Sequence, residues 1–163
     1  MISKQVIHVI GLQLTVYGLE EYNKFYRGAP VTVMFALHGR LQNQFKMESV
    51  SQAICQLNEH YQKGNRYILV ITFDSPNHGS RLIYKPANYG WVEGKYKNPT
   101  HALDMWSMIH STSHTVSELI DVVEYYLFGG SQQWVEIWGV MGFSMGGHAT
   151  FLTAANGIYI AYQ

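Results

Sequence analysis

The sequence predicts an α/β fold, a mostly parallel sheet with helices on both faces. Three observations carry the prediction. Val31 to Leu37 and Tyr67 to Phe73 are almost continuously apolar, which suits central parallel strands covered on both sides rather than half-solvated ones. Amphipathic helical stripes follow each of them, and strands that alternate with helices wind into a parallel sheet. A third strand-like stretch, Val135 to Val140, runs through Gly142-Phe143-Ser144-Met145-Gly146 into a helical run over Gly147 to Ala155.

In chain order, Val6 to Ile10 and Leu12 to Tyr17 alternate in polarity around Gly11, the pattern of locally paired strands at a sheet edge. Glu20 to Pro30 is polar and turn-rich. The Val31–Leu37 strand ends at His38-Gly39-Arg40. Met47, Val50, Ile54, Leu57 and Tyr61 then recur at helical spacing, with Asn43 as N-cap and Gly64 as the residue beyond the C-terminus. The second buried strand closes at Asp74. Residues 82–114 read as an irregular insertion rich in aromatic residues and histidine. Thr115-x-x-Glu118 has the form of a capping box, and Val116, Leu119, Ile120, Val123 and Leu127 mark the helix behind it, closed by Gly129-Gly130.

With 163 residues, 47% apolar and 13% charged, the chain has the length of one domain and is too hydrophobic to be disordered. Its formal net charge is zero, so nothing points to nucleic acid or an anionic membrane. Cys55 is the lone cysteine and falls on a predicted apolar stripe, where an inert buried thiol is expected. No apolar run reaches the ~18 residues of a membrane span, and the N-terminus lacks the core and cleavage site of a signal peptide. A cytoplasmic location is the default expectation.

The chemistry concentrates at Ser144. Between a strand and a helix, Gly-x-Ser-x-Gly makes a sharp turn, the nucleophile elbow, in which Gly142 and Gly146 let strand and helix approach closely. The serine hydroxyl is then presented at a helix N-terminus, where backbone N–H groups favour developing negative charge. In such an arrangement the loop after the first central strand supplies one oxyanion donor and the residue after the nucleophile the other. Here those are the backbone N–H groups of Arg40 and Met145. His38 lies too early in the chain for the order serine, acid, histidine and reads as a structural hydrogen-bonding residue.

These pieces, together with Asp74-Ser75-Pro76-Asn77-His78-Gly79-Ser80-Arg81, resemble the α/β-hydrolase superfamily from the first strands to the helix after Ser144. Within it, Val16-Tyr17-Gly18-Leu19-Glu20, the segment from Trp91 to Met105 and Gly146-Gly147-His148-Ala149 resemble an uncharacterised group of fungal hydrolases. The resemblance implies a serine hydrolase of the esterase kind, with a small carbonyl substrate and without metal or organic cofactor. It also implies an acid after a later strand and a histidine after the last. The sequence stops at Gln163, within what reads as the next strand, Ile158 to Tyr162. Three further strands with their helices need roughly 80 residues. The expectation is therefore a single, C-terminally truncated domain, active only in a complete protein. The alternative is a non-catalytic binding or regulatory module.

No residue present takes the role of triad acid or base by position. Asp74 reads as a loop-closing hydrogen-bond acceptor, and Asp121 as solvent-facing. Asn98, His101 and Asp104 could be read as a metal set but lack a fourth ligand. His148 lies one turn past Ser144, faces away from the site and reads as a packing or capping residue. His78, His101, His110 and His114 fall in the loop region. Trp91 and Trp106, with Tyr84, Tyr89 and Tyr96, would form an aromatic wall for an apolar acyl or aryl group, or simply pack the insertion onto the core.

Overall fold

The structure is a computed structural model that describes residues 2–62, 65–129 and 134–156. Strands β1 (Lys4–Val9) and β2 (Leu12–Tyr17) form an antiparallel hairpin whose turn places both Ile10 and Gly11 at positive φ. A single helical turn, α1 (Leu19–Glu21), and a wide turn over Tyr22–Tyr26 lead to β3 (Val31–Leu37). Then come α2 (Glu48–Gln56), β4 (Tyr67–Phe73), and the two-residue strands β5 (Val92–Glu93) and β6 (Tyr96–Lys97). The last elements are α3 (His101–Phe128), β7 (Val135–Gly142) and α4 (Met145–Asn156).

The main sheet has the order β1-β2-β4-β3-β7. β4, β3 and β7 are parallel, and β2 joins β4 antiparallel. β5 and β6 pair as a separate small ribbon. Side-chain alternation divides the core into two layers. Val31, Val33, Phe35, Leu69, Ile71 and Phe73 face Val116, Leu119 and Val123 of α3 and Ala149 of α4. Tyr17, Ala36 and Val70 face the opposite side, against Met47 and Cys55. Helices thus cover both faces of a largely parallel sheet, as the apolar runs of β3 and β4 predict. Burial pushes the Cys55 thiol up to about 12, so it is the inert core thiol expected. Among the described residues no helix is long and apolar enough to cross a membrane.

The expectations for residues 82–127 are corrected at two points. The irregular insertion is shorter than 82–114, because α3 begins at His101 and runs unbroken for 28 residues. Thr115 caps nothing: it is buried mid-helix, and its Oγ1 donates to the Ser111 carbonyl at 2.8 Å. The helix starts instead just after Pro99, where Asn98 and Thr100 gather around Asp104. Asn98 Nδ2 and Thr100 Oγ1 both donate to Asp104 Oδ2, at 3.0 and 2.8 Å. The residues that could be read as a metal set are therefore a helix-starting hydrogen-bond cluster.

On α2 the buried face also differs from the expected stripe. Asn43 does cap the entry, accepting from the Phe45 N–H at 3.1 Å. The chain then tightens into a 3₁₀ turn over Leu57–His60, which shifts the phase. Asn58 turns inward and Leu57 is left 59% exposed. Gly64, Gly130 and the stretch from Ile158 to Tyr162 lie outside the described residues.

Candidate active site

β7 delivers the chain to the C-terminal edge of the parallel strands, and α4 leaves within three residues. The turn is held by three backbone bonds. Phe143 N–H donates to the Leu37 carbonyl at 3.0 Å, Gly146 N–H to Phe143 at 2.9 Å, and His148 N–H to Ser144 at 3.0 Å. Between them Ser144 sits at φ 52°, a left-handed conformation that a side chain other than glycine adopts at a cost of about 1–2 kcal/mol.

The two flanking glycines are required sterically. A Cβ at Gly142 would overlap the Gly146 backbone, and one at Gly146 would overlap the Leu37 and His38 carbonyls. α4 can seat against β3 and β7 only because both positions lack a side chain. Ser144 is exposed, and its hydroxyl makes no hydrogen bond to a described residue. Met145 is buried at 2% exposure, and its N–H heads the first turn of α4.

Beside this turn lies the loop after β3. Gly39 N–H donates to Gln42 Oε1 at 3.1 Å, and Gln42 N–H returns a bond to the Gly39 carbonyl at 3.2 Å. Neither the Arg40 N–H nor the Met145 N–H donates to another described residue. Two backbone donors, one on the loop after β3 and one at the start of α4, are thus unpaired among the described residues. The Arg40 guanidinium points elsewhere. Its Nη1 donates to the Asn88 carbonyl at 2.7 Å and to Glu93 Oε2 at 3.0 Å, anchoring the segment before α3. The Gly90 N–H and then Arg40 hold the Glu93 carboxyl below its ordinary value.

The loops after β3 and β4 clasp each other through two histidines. His38 Nε2 accepts the Ser75 N–H at 3.0 Å, while its Nδ1 donates to the Gly39 carbonyl at 2.9 Å. His78 Nε2 accepts the Leu41 N–H at 3.1 Å, and its Nδ1 donates to Pro76 at 2.9 Å. Leu41, at φ 63°, is held in its left-handed conformation next to Arg40. Burial, reinforced by the neighbouring cationic or imidazole group, pushes both histidines below their ordinary values, against the opposing pull of the carbonyls and Asp74. Both are neutral scaffolding. His38 takes the structural role read from its position, while the tie from His78 to Leu41 gives no signal in the sequence.

Asp74 is the hub beneath them. Its Oδ1 accepts the Gln44 N–H at 2.8 Å, and Oδ2 accepts the Ser80 N–H at 2.8 Å and the Ser80 hydroxyl at 2.9 Å. Gly79 is pressed so close that any Cβ there would overlap the carboxylate. Asn77 ties in the segment that follows, accepting from Ile83 and Tyr84 N–H at 3.0 and 2.7 Å. These bonds of Asn77 have no sequence pattern of their own beyond its place after Pro76, a turn signal.

Trp91 and Trp106 are 56% and 61% exposed and pair with histidines rather than with each other. Trp91 meets His101 edge-on at 5.6 Å, and Trp106 stacks on His110 at 4.9 Å. Asp121 is exposed, as expected, whereas His148, expected to pack or cap, is exposed as well. No group of three or more His, Cys, Asp or Glu among the described residues is placed to hold a metal.

No family model and no curated protein matches the sequence. Solved structures do. TT1662 from Thermus thermophilus superposes on 96% of this chain and 52% of its own, with a TM-score of 0.57 at 17% identity. A novel esterase, Rv0045c from Mycobacterium tuberculosis, aligns at TM-score 0.44 and 17% identity over 96% of this chain and 38% of its own. The thioesterase domain from the curacin biosynthetic pathway aligns at TM-score 0.48 and 13% identity over 95% and 40%. The sheet order and the TT1662 superposition show the α/β-hydrolase fold. The chain spans about half the length of TT1662.

Proposed function

We propose that Ser144 is the nucleophile of a serine hydrolase acting on an ester-like or amide-like carbonyl. The observation that carries this reading is the strained, exposed serine between β7 and α4, flanked by two positions that admit only glycine. A costly backbone angle kept on a solvent-facing serine between a strand and a helix supports reading the turn as a nucleophile elbow.

Ser144 Oγ attacks the carbonyl carbon, and a base takes the hydroxyl proton. The Arg40 and Met145 N–H groups hold the oxyanion of the tetrahedral intermediate, a donor of this kind contributing ~3 kcal/mol. Collapse expels the alcohol or amine, which takes up the proton, and water then hydrolyses the acyl-enzyme. In the chain order of such triads the serine is followed by the acid and then by the histidine. Among the described residues after Ser144 there is no carboxylate, and His148 is the lone histidine. The exposed Trp91 and Trp106 offer an apolar surface for the acyl or aryl part of a small substrate. The buried, reduced thiol of Cys55 suits a cytoplasmic setting.

One observation favours a second reading, a non-catalytic binding module: the Ser144 hydroxyl has no hydrogen-bond partner among the described residues. Hydrolysis of nitrophenyl esters by the full-length protein decides between them. Ser144→Ala should cost roughly 10⁴-fold or more in kcat/KM. A variant that hydrolyses as fast as the parent, or a parent with no turnover of any ester in the series, refutes the hydrolase reading.

A further inference from the structure

On the solvent face of α3, His110 and His114 stand one helical turn apart. Their ring centroids are 4.5 Å apart and their planes tilted by 49°. Trp106, one turn earlier, stacks on His110 with an interplanar angle of 23°. His38 and His78 commit both ring nitrogens to loop backbone. The nitrogens of His110 and His114 make no hydrogen bond to any described residue, so their lone pairs are open to a ligand.

Two histidines at i and i+4 share one helix face, the placement used where a helix chelates zinc. An imidazole nitrogen binds such an ion at about 2.0–2.1 Å. With each ring centre roughly 1.1 Å beyond its nitrogen, two imidazoles at about 90° around one ion have centroids ~4.5 Å apart. That is the separation present between the two rings, so the spacing of the pair matches a shared ion.

We propose that His110 and His114 form an open site for a divalent transition metal on α3, with the remaining coordination positions taken by water or by a group from another molecule. Glu118 continues the row one turn further. Because no three such side chains among the described residues converge on one point, the protein supplies two ligands and the ion exchanges freely. Two imidazoles with water follow the usual divalent order, so Cu²⁺ binds more tightly than Zn²⁺. The site is independent of Ser144 and of the hydrolase reading.

The test is a titration of the untagged full-length protein with Cu²⁺ and Zn²⁺ in a non-chelating buffer, followed by calorimetry and tryptophan fluorescence. Cu²⁺ should bind at one ion per chain and quench Trp106. Zn²⁺ should compete for the same site without quenching. His110→Ala and His114→Ala, each checked for unchanged helix content, should each weaken Cu²⁺ binding by about tenfold or more. Trp106→Phe should keep the affinity while losing most of the quench, and His148→Ala should change neither. Retention of parental affinity in the His110→Ala/His114→Ala double variant would overturn the assignment, as would a parent protein that binds no Cu²⁺. Should either alanine variant lose helix content, the corresponding His→Gln variant provides the same test.

Discussion

Asp74→Asn replaces one carboxylate oxygen by an amide while leaving shape and volume almost unchanged. Asp74 is 2% exposed, and its two oxygens accept from opposite sides: Gln44 N–H on Oδ1, Ser80 N–H and hydroxyl on Oδ2. The asparagine amide can keep its oxygen towards Ser80, the more heavily bonded side. Its NH₂ then meets the Gln44 N–H, donor against donor. Gln44 is fully buried, so that N–H cannot turn to water, and an unsatisfied buried donor costs about 1–3 kcal/mol. The surviving bonds lose their charge assistance, about another 1 kcal/mol. Relief from desolvating a carboxylate offsets part of this, leaving a net loss of roughly 2–3 kcal/mol. Urea unfolding of the parent and the variant by circular dichroism reads the difference directly, with the exposed Asp121→Asn as control. A loss below about 0.5 kcal/mol would refute the view that Asp74 ties the loops after β3 and β4 together.

Gly146→Ala drives a Cβ into the Leu37 and His38 backbone and should cost about 3 kcal/mol or more or prevent folding; Gly147→Ala, whose Cβ would sit 3.3 Å from the Gly142 carbonyl oxygen, should cost far less in the same unfolding assay. His38 and His78 are held below their ordinary values by burial, so the unfolded chain takes up protons first. Stability should be level above pH ~7 and fall as pH descends below ~6.5, by up to about 1.4 kcal/mol per pH unit for each histidine; a flat profile between pH 7.5 and 5.5 would contradict their neutral, buried state. Arg40→Ala removes the guanidinium but keeps the backbone donor, so turnover should stay within about tenfold, while hydrogen exchange quickens around Asn88 to Glu93; a loss of several hundredfold would mean that the guanidinium itself acts.

Much of this arrangement can be read from residue type alone. The unbroken apolar runs of β3 and β4 identify buried parallel strands because no half-solvated strand tolerates them. Gly142 and Gly146 are legible because backbone contact leaves no alternative residue. What escaped the sequence was disguised by polar residues that pay their hydrogen-bond debts locally. α3 looks irregular over its first half because Thr112, Ser113 and Thr115 interrupt the apolar stripe. Yet Thr112 and Thr115 donate to the carbonyls of Met108 and Ser111, at 2.7 and 2.8 Å, and bury without penalty. Asn58 hides in the same way. Its side chain pairs with both the N–H and the carbonyl of Ile68, at 2.8 Å each, in place of the apolar residue the period predicts. The His78–Leu41 bond joins residues 37 positions apart, and no local pattern encodes it.

Covalent capture distinguishes a reactive Ser144 from an inert one. The full-length protein is treated with a fluorophosphonate, digested, and the modified peptide sequenced by tandem mass spectrometry. A nucleophilic Ser144 gives one adduct per chain, on Ser144, abolished by Ser144→Ala and by prior heat unfolding. An adduct on any other residue, or labelling of Ser144→Ala at the parental stoichiometry, would contradict it.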